Sequence, residues 1–506
     1  MYVTFLALPL TPTVNWCYVA RMTIDILPDN ALLEIFDFYL DGARIEAWIT
    51  LVHVCRNWRS VVFGSPSRLN LRLYCTAKTR VGETLDVWPA LPIVISGDDN
   101  EEGGVDNIIA ALERNDRVCG VELLHVHIPQ LEKVLAAMQK RFPALTYLDL
   151  VSKDKMGPVV PHSFLGGSAP PCLRSLSFDH LPFPSLPKLL LSATNLVNLS
   201  LCGIPPSGYI SPEAMVTALS TLIRLKSLWL EFRSPPWESR DPPQAPPTRA
   251  LLPALTHFEF KGFCEYLEDL VARIDTPLLN DLDVTFFYQF ILDTPQLAQF
   301  IGHTPKFKSP NEAYLKFSDS DVSVTLPRTS DGTLRLAISC SDPLWQLLSL
   351  TQVCNSPISR ALIPTLEHLY ILDAGFLRPC WQGDIDGEEN SLWLDILRPF
   401  TAVKNLYLHR EFVPYFAGTL QELDTESVTQ VLPALQSILL EDPWLSGPIR
   451  ETIKQFVAAR RLSGDPITIS LWDTGREKYK WYEIVEWYVA STIAVFSVPL
   501  LTACHS

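Results

Sequence analysis

A short apolar pattern recurs along most of the chain, with apolar residues at the first, fourth and sixth positions of each match. The alternation at the end of the pattern predicts a short β-strand with one apolar face. Successive matches mostly begin 23–32 residues apart, and segments with helical spacing, such as 130–141 and 212–222, lie between them. A longer interval, from Leu279 to Leu366, indicates degenerate or inserted units, with strand-like stretches near 313–317 and 334–339. The matches are Val118/Val121/Leu123, Leu145/Leu148/Leu150, Leu173/Leu176/Phe178, Leu196/Leu199/Leu201, Leu225/Leu228/Leu230, Leu255/Phe258/Phe260, Leu279/Leu282/Val284, Leu366/Leu369/Ile371, Val403/Leu406/Leu408 and Leu435/Ile438/Leu440.

This pattern is typical of leucine-rich repeats, in which each repeat supplies one strand and one connecting segment. A proline often stands shortly before a match, where it ends a preceding helix without breaking a strand ladder. We therefore expect an α/β fold whose repeats stack into a curved solenoid over residues 118–470. The alternative is an ordinary α/β domain with scattered matches, and the regular recurrence makes it the weaker reading.

The pleat of the predicted strands places the residues between the leucines on the opposite side of the sheet. Exposed aromatic side chains on such a surface are good anchors for a protein partner. We select Tyr147, Trp229, His257, Glu259, Tyr370 and Tyr407 as candidate substrate-binding residues. The full set expected on the concave face is Tyr147, Asp149, Ser177, Ser200, Trp229, His257, Glu259, Asp283, Tyr370, Tyr407 and His409.

Before the repeats, residues 24–63 have the spacing of three short helices. Pro28 stands where a helix can begin, because its missing N–H would be unpaired there anyway. Asp41-Gly42 is suited to end the first helix. The second helix is predicted over about 45–51 and the third over about 54–63, ended by 64–66. A bundle of this size is near the lower limit of independent stability, so we expect a partner or a neighbouring domain.

The same segment resembles an F-box, of the kind found in many fungal F-box proteins. Leu27-Pro28, Leu32-Leu33, Ile35-Phe36 and Leu40 are similar to the first half of that module, and 54–59 (Val-Cys-Arg-Asn-Trp-Arg) is similar to its second half. The resemblance implies docking on a Skp-type linker protein and, through it, on a cullin. It implies that the contact surface is formed or supported by Leu27, Pro28, Leu32, Ile35, Phe36, Val54, Cys55 and Trp58.

Two residues depart from the usual F-box pattern, Asn30 where glutamate is common and Ala31 where leucine is common. Either could weaken linker binding. The alternative is a generic helical hairpin in which Cys55 and Trp58 are only core residues. The two halves occurring together, in order and at this spacing, favour the F-box.

The net charge and the lack of known catalytic motifs argue against two classes of function, nucleic-acid binding and catalysis. The formal net charge is −15 and no basic stripe is present, which argues against a nucleic-acid binder. The 11 cysteines show no C-x-x-C pair and read as reduced thiols of an intracellular protein. No phosphate-binding loop, nucleophile elbow or metalloprotease motif occurs, so we expect no catalytic residues, no metal site and no cofactor.

The expected organisation is an apolar extension (1–21), the F-box (22–66), a connecting segment (67–117), the solenoid (118–470) and an apolar tail (471–506). The uncharged stretch 487–504 just reaches the length of a membrane span, so a tail anchor is an alternative to a packed helix. The favoured function is a non-catalytic adaptor of an SCF-type (Skp-cullin-F-box) ubiquitin ligase, in the cytoplasm or nucleus. The alternatives are a repeat scaffold that binds the linker protein without a ligase, and a membrane-anchored adaptor.

Overall fold

The computed structural model describes residues 27–40, 46–64, 71–78, 80–87, 91–98, 104–233, 249–287, 292–307, 310–327, 332–373, 387–421, 430–441 and 447–472. The extension expected at 1–21 and the uncharged stretch 487–504 lie outside these ranges. No helix within the described ranges is long and apolar enough to cross a membrane.

Three short helices open the described chain: α1 (Asp29–Leu40), α2 (Glu46–Val54) and α3 (Arg56–Gly64). Leu32 and Phe36 on α1 are fully buried, because their spacing turns them to the same side of the helix. The Phe36 ring packs against Trp58 with centroids 4.8 Å apart. The Arg59 Nε donates a hydrogen bond to the Val52 carbonyl over 3.0 Å, which ties α3 to α2.

A sheet of sixteen strands runs through the described part of the chain. Its strands, in chain order, are β1 (Leu71–Tyr74), β2 (Ile93–Asp98), β3 (Val118–Val126), β4 (Tyr147–Ser152), β5 (Ser175–Asp179), β6 (Asn198–Ile204), β7 (Ser227–Phe232), β9 (His257–Gly262), β11 (Asp281–Phe287), β12 (Glu312–Phe317), β13 (Asp321–Pro327), β14 (Thr333–Ser339), β15 (His368–Asp373), β16 (Asn405–Leu408), β17 (Ser437–Leu440) and β18 (Thr468–Leu471). Two short strands, β8 (Ala250–Leu251) and β10 (Ile274–Asp275), form a separate parallel pair. The sheet thus begins at Leu71, inside the segment expected to be a connection.

Helices connect most of the strands and cover one side of the sheet. They are α4 (Val81–Val87), α5 (Val105–Leu112), α6 (Ile128–Ala137), α7 (Leu186–Leu190), α8 (Pro212–Leu219), α9 (Cys264–Ala272), α10 (Pro295–His303), α11 (Pro343–Asn355), α12 (Pro357–Leu362), α13 (Gly387–Leu397), α14 (Val413–Gln421) and α15 (Gly447–Leu462). Several begin with a proline in the first turn and a side-chain cap, as α8 does with Ser211, whose hydroxyl accepts from the Ala214 N–H. The helices expected at 130–141 and 212–222 are present as α6 and α8, and both end earlier than predicted.

The repeated leucines form the core between the sheet and the helices. In β7 the burial alternates strictly, with Leu228 and Leu230 buried and their neighbours half-buried. The first residue of the pattern is also buried, as Leu225 shows. Backbone hydrogen bonds link the repeats just before each strand, where the Lys226 N–H donates to the Val197 carbonyl over 2.7 Å. These bonds align neighbouring strands residue for residue.

The long interval in the repeat pattern is a folded-back insertion. The strands expected near 313–317 and 334–339 are present as β12 and β14, but a third strand, β13, lies between them and is antiparallel to both. β14 pairs with β11 and β12 pairs with β15, so the chain order is reversed within the sheet. The interval was expected to hold degenerate or inserted units, and it holds an insertion with one antiparallel strand. The cause is the short connection at 318–320, because a parallel crossover needs about a dozen residues or more.

Candidate functional site

The side of the sheet opposite the buried leucines presents polar and aromatic side chains, and we call it the open face. Strand pairing aligns one residue from each strand into a row across this face, which we call the central row. Its residues, in spatial order, are Tyr74, Ser96, Glu122, Asp149, Ser177, Ser200, Trp229, Glu259, Asp283, Arg335, Thr325, Tyr314, Tyr370, Tyr407, Leu439 and Ser470.

Four of the six selected candidates, Trp229, Glu259, Tyr370 and Tyr407, lie in the central row. Tyr147 and His257 lie on the same face in the adjacent row, where Tyr147 pairs with Ser175 and His257 with Asp281. His409 from the wider set follows the end of β16, and its Nε2 lies 3.1 Å from Glu441 Oε2.

Carboxylates dominate the half of the central row between β3 and β11. Asp149 is only 4% exposed, and burial raises its pKa to about 6, with a hydrogen bond from Ser177 opposing the shift and Glu122 adding to it. Burial also raises the pKa of Glu259 to about 8, and Asp283 and Glu231 on neighbouring strands raise it further against the opposing effect of Arg335 and Lys261. These carboxylates lie in an environment that disfavours their charge.

Two cations of this region, Arg335 and Lys261, are held in ion pairs. Arg335 bridges two carboxylates, with Nη1 2.9 Å from Asp283 Oδ1 and Nη2 2.9 Å from Asp321 Oδ1. Lys261 Nζ lies 2.8 Å from Glu231 Oε1. Among the described residues no basic side chain forms an ion pair with Asp149 or Glu259, so neither carboxyl group has a paired cation that would stabilise its ionised form.

The other half of the central row is a stack of tyrosines. The Tyr370 ring lies parallel to Tyr314 on one side and Tyr407 on the other, with centroids 4.4 and 4.0 Å apart. Trp472, just beyond β18, packs against Tyr370 and Tyr407 at 5.9 and 5.5 Å. Burial raises the pKa of Tyr370 far above its usual range, and Tyr314 and Tyr407 add to the shift. The stack is therefore an uncharged aromatic cluster beside the acidic half, and its central ring, Tyr370, is only 6% exposed.

The expected linker-binding residues divide into an outer and an inner group. Leu27, Ile35 and Val54 are 36%, 42% and 51% exposed, and Pro28 is exposed as well. Leu32 and Phe36 are fully buried, so they belong to the core of the three helices and are not accessible to a partner. Cys55 and Trp58 are half-buried at the join of α2 and α3.

The sequence pattern missed several residues of the open face. Arg335, Tyr314 and Lys316 belong to the folded-back insertion, where the strand register depends on the topology. Burial lowers the pKa of Lys316 to about 8, and Arg335 beside it lowers it further. The alternation in Ala313, Leu315 and Phe317 could have assigned Tyr314 to the open face, but not its place beside Tyr370.

The described chain is a mixed α/β protein whose repeated strand-and-helix units build one long, mostly parallel sheet, in the manner of a leucine-rich-repeat solenoid. No protein-family model matches the chain, and no curated protein matches it. Among solved structures it is similar to the leucine-rich repeat-containing protein LegL7 from Legionella pneumophila, with 16% sequence identity and a TM-score of 0.27. That similarity covers 78% of this chain and 98% of the other. Within the described residues, no group of three or more His, Cys, Asp or Glu side chains could hold a metal ion.

Proposed function

We propose that this chain is the substrate-recognition adaptor of an SCF-type ubiquitin ligase. Helices α1–α3 are its F-box and dock on a Skp-type linker protein, which connects them to a cullin. The open face of the repeat sheet binds the target protein. The chain performs no chemistry of its own; it raises the local concentration of acceptor lysines beside the ligase.

The observation that carries this proposal is the division of the F-box-like residues between core and surface. Leu32 and Phe36 belong to the core of the three helices, while Leu27, Ile35 and Val54 remain exposed on a bundle that is near the lower limit of independent stability. Exposed apolar side chains over a packed core are what a docking surface requires. Such a role fits a protein of the cytoplasm or nucleus.

The test uses two surface substitutions, Ile35→Glu and Val54→Glu, in the full chain. Each places a charge in the proposed interface while leaving the buried core intact, so linker binding should weaken by about tenfold or more. Co-purification with a tagged Skp-type linker protein and cullin measures the loss. Leu462→Glu is the matched control, because Leu462 is 90% exposed at the end of α15 and far along the chain from the helices.

Undiminished linker binding by both variants would overturn the proposed docking surface. If the linker protein co-purifies without cullin, the ligase role fails and the chain is a repeat scaffold that binds the linker protein alone.

A further inference from the structure

We propose that the open face recognises an extended, basic segment of its protein partner, with lysine or arginine over the acidic half and an aromatic or apolar residue over the tyrosine stack. This inference rests on the proposed function, since it names the class of target that the adaptor would present.

The first argument is charge complementarity. The acidic half carries Glu122, Asp149 and Glu259 in the central row, and within the described residues none of them forms an ion pair. The nearby cations Lys261 and Arg335 are already paired with Glu231, Asp283 and Asp321. A partner that places cations over these groups would stabilise their ionised form, so that they lose their protons on binding, whereas an acidic or phosphorylated partner would oppose that ionisation.

The second argument is an incomplete hydrogen-bond arrangement inside the face. Asp149 is 96% buried, and its Oδ1 has no hydrogen-bond partner among the described residues. The Trp229 Nε1 on the same row also has none. Buried polar atoms in folded proteins are nearly always paired, and an unpaired buried carboxylate oxygen is costly. Because Oδ1 is enclosed by this chain, a guanidinium or ammonium group of a partner lying over Asp149 would stabilise the carboxylate through its charge.

The third argument is the spacing across the sheet. Asp149 on β4 and Glu259 on β9 are separated by four strand intervals, or about 19 Å. Glu259 and Tyr314 on β12 are separated by four more. An extended peptide advances about 3.3 Å per residue, so about six residues cover each of these distances. The expected ligand therefore has two basic residues about six positions apart, followed about six positions later by an aromatic residue.

The experiment measures the fluorescence anisotropy of labelled synthetic peptides of about 15 residues that cross the open face. One peptide carries lysines and a tyrosine at the expected spacing, a second has the same composition in scrambled order, and a third replaces lysine by glutamate. We expect the first to bind the full-length protein about tenfold more tightly than the third. Equal or tighter binding of the glutamate peptide would overturn the proposal.

Matched protein variants separate the site from overall charge. Asp149→Asn/Glu259→Gln should weaken binding of the lysine peptide by about fivefold or more. Glu132→Gln/Glu265→Gln removes the same formal charge from exposed positions on α6 and α9 and should leave binding unchanged. An equal loss in both double variants, with unfolding midpoints preserved, would show attraction to net charge alone and would also overturn the proposal.

The outcomes for the adaptor role and for this surface are distinguishable. If the linker protein binds the wild type and none of the peptides does, the surface inference fails while the proposed function stands. If Ile35→Glu and Val54→Glu keep the linker protein while the lysine peptide binds as expected, the proposed function fails and the surface inference stands. Self-association that competes with the peptide would identify a second copy as the occupant and would contradict the proposed partner.

Discussion

At the scale of single residues, Glu259 is a buried carboxyl group of the open face that lowers the free energy of unfolding at neutral and alkaline pH. It faces Asp283 on β11, Glu231 and Trp229 on β7, Arg335 on β14 and Lys261 on its own strand. Burial and the neighbouring carboxylates raise its pKa to about 8. The folded chain therefore binds a proton that the unfolded chain has already lost between about pH 4.5 and 8. This group makes the free energy of unfolding fall as the pH rises through that window.

Glu259→Gln should consequently stabilise the protein near pH 8 while weakening peptide binding. A shift of this size corresponds to about 5 kcal/mol at most, and partial exposure and screening reduce the expected gain to about 1–3 kcal/mol. The gain should vanish below about pH 4.5, where the carboxyl is protonated in both states. Urea unfolding at several pH values measures it, with Glu132→Gln as the control on an exposed helix position. A gain independent of pH would contradict the assigned cause.

At the scale of elements, the turn between β12 and β13 decides the direction of the insertion. The Ser318 Oγ accepts from the Asp321 N–H over 3.0 Å and donates to the Asp321 carbonyl over 3.1 Å. The Ser318 N–H donates to the same carbonyl over 2.9 Å. These bonds close a connection of three residues, which only an antiparallel neighbour can follow.

Ser318→Ala should lower the free energy of unfolding by about 1–2 kcal/mol, because it leaves the half-buried Asp321 N–H without its acceptor. Ser318→Ala should accelerate amide hydrogen exchange more in β13 than in β7. Ser320→Ala is the control, since its exposed hydroxyl makes only a 3.4 Å contact with Asp321 Oδ2. Equal destabilisation by the two substitutions would show that the turn bonds have no special role.

The same elements show what the sequence could and could not predict. The alternation of leucines sufficed to find β4–β7 and to place Asp149, Trp229 and Glu259 on the open face, because side-chain direction follows from the pleat alone. The order β11-β14-β13-β12-β15 could not be derived in this way. It depends on which strands pair over long separations, and a local pattern of apolar residues is the same for parallel and antiparallel neighbours. For this reason the stacking of Tyr314 on Tyr370 and the bridging of Arg335 were not predicted.

At the scale of the whole molecule, the central row joins an acidic half and a tyrosine stack, and in the proposed complex these two should respond differently to salt. The acidic half acts through charge, whose reach falls from about 10 Å at 0.1 M salt to about 3 Å at 1 M. The tyrosine stack of Tyr314, Tyr370 and Tyr407 acts through aromatic packing, which salt does not screen. Arg335 and Thr325 separate Asp283 from Tyr314 in the central row, so the contributions of the acidic half and of the stack should be nearly additive.

Raising the salt concentration from about 0.05 to 0.5 M should therefore weaken binding of the lysine peptide by about tenfold. Tyr407→Ala should weaken it by a further factor of about five that stays constant across the series, because this loss is one of packing. The control is Ile223→Ala, which truncates a 59%-exposed apolar side chain in the connection between α8 and β7, outside the central row. Anisotropy titrations of the wild type and both variants at each salt concentration measure how much the affinity for the peptide falls. Unfolding midpoints show whether Tyr407→Ala remains folded. A Tyr407→Ala effect that disappears at high salt would mean that the stack does not contact the ligand and acts only by shaping the charged half.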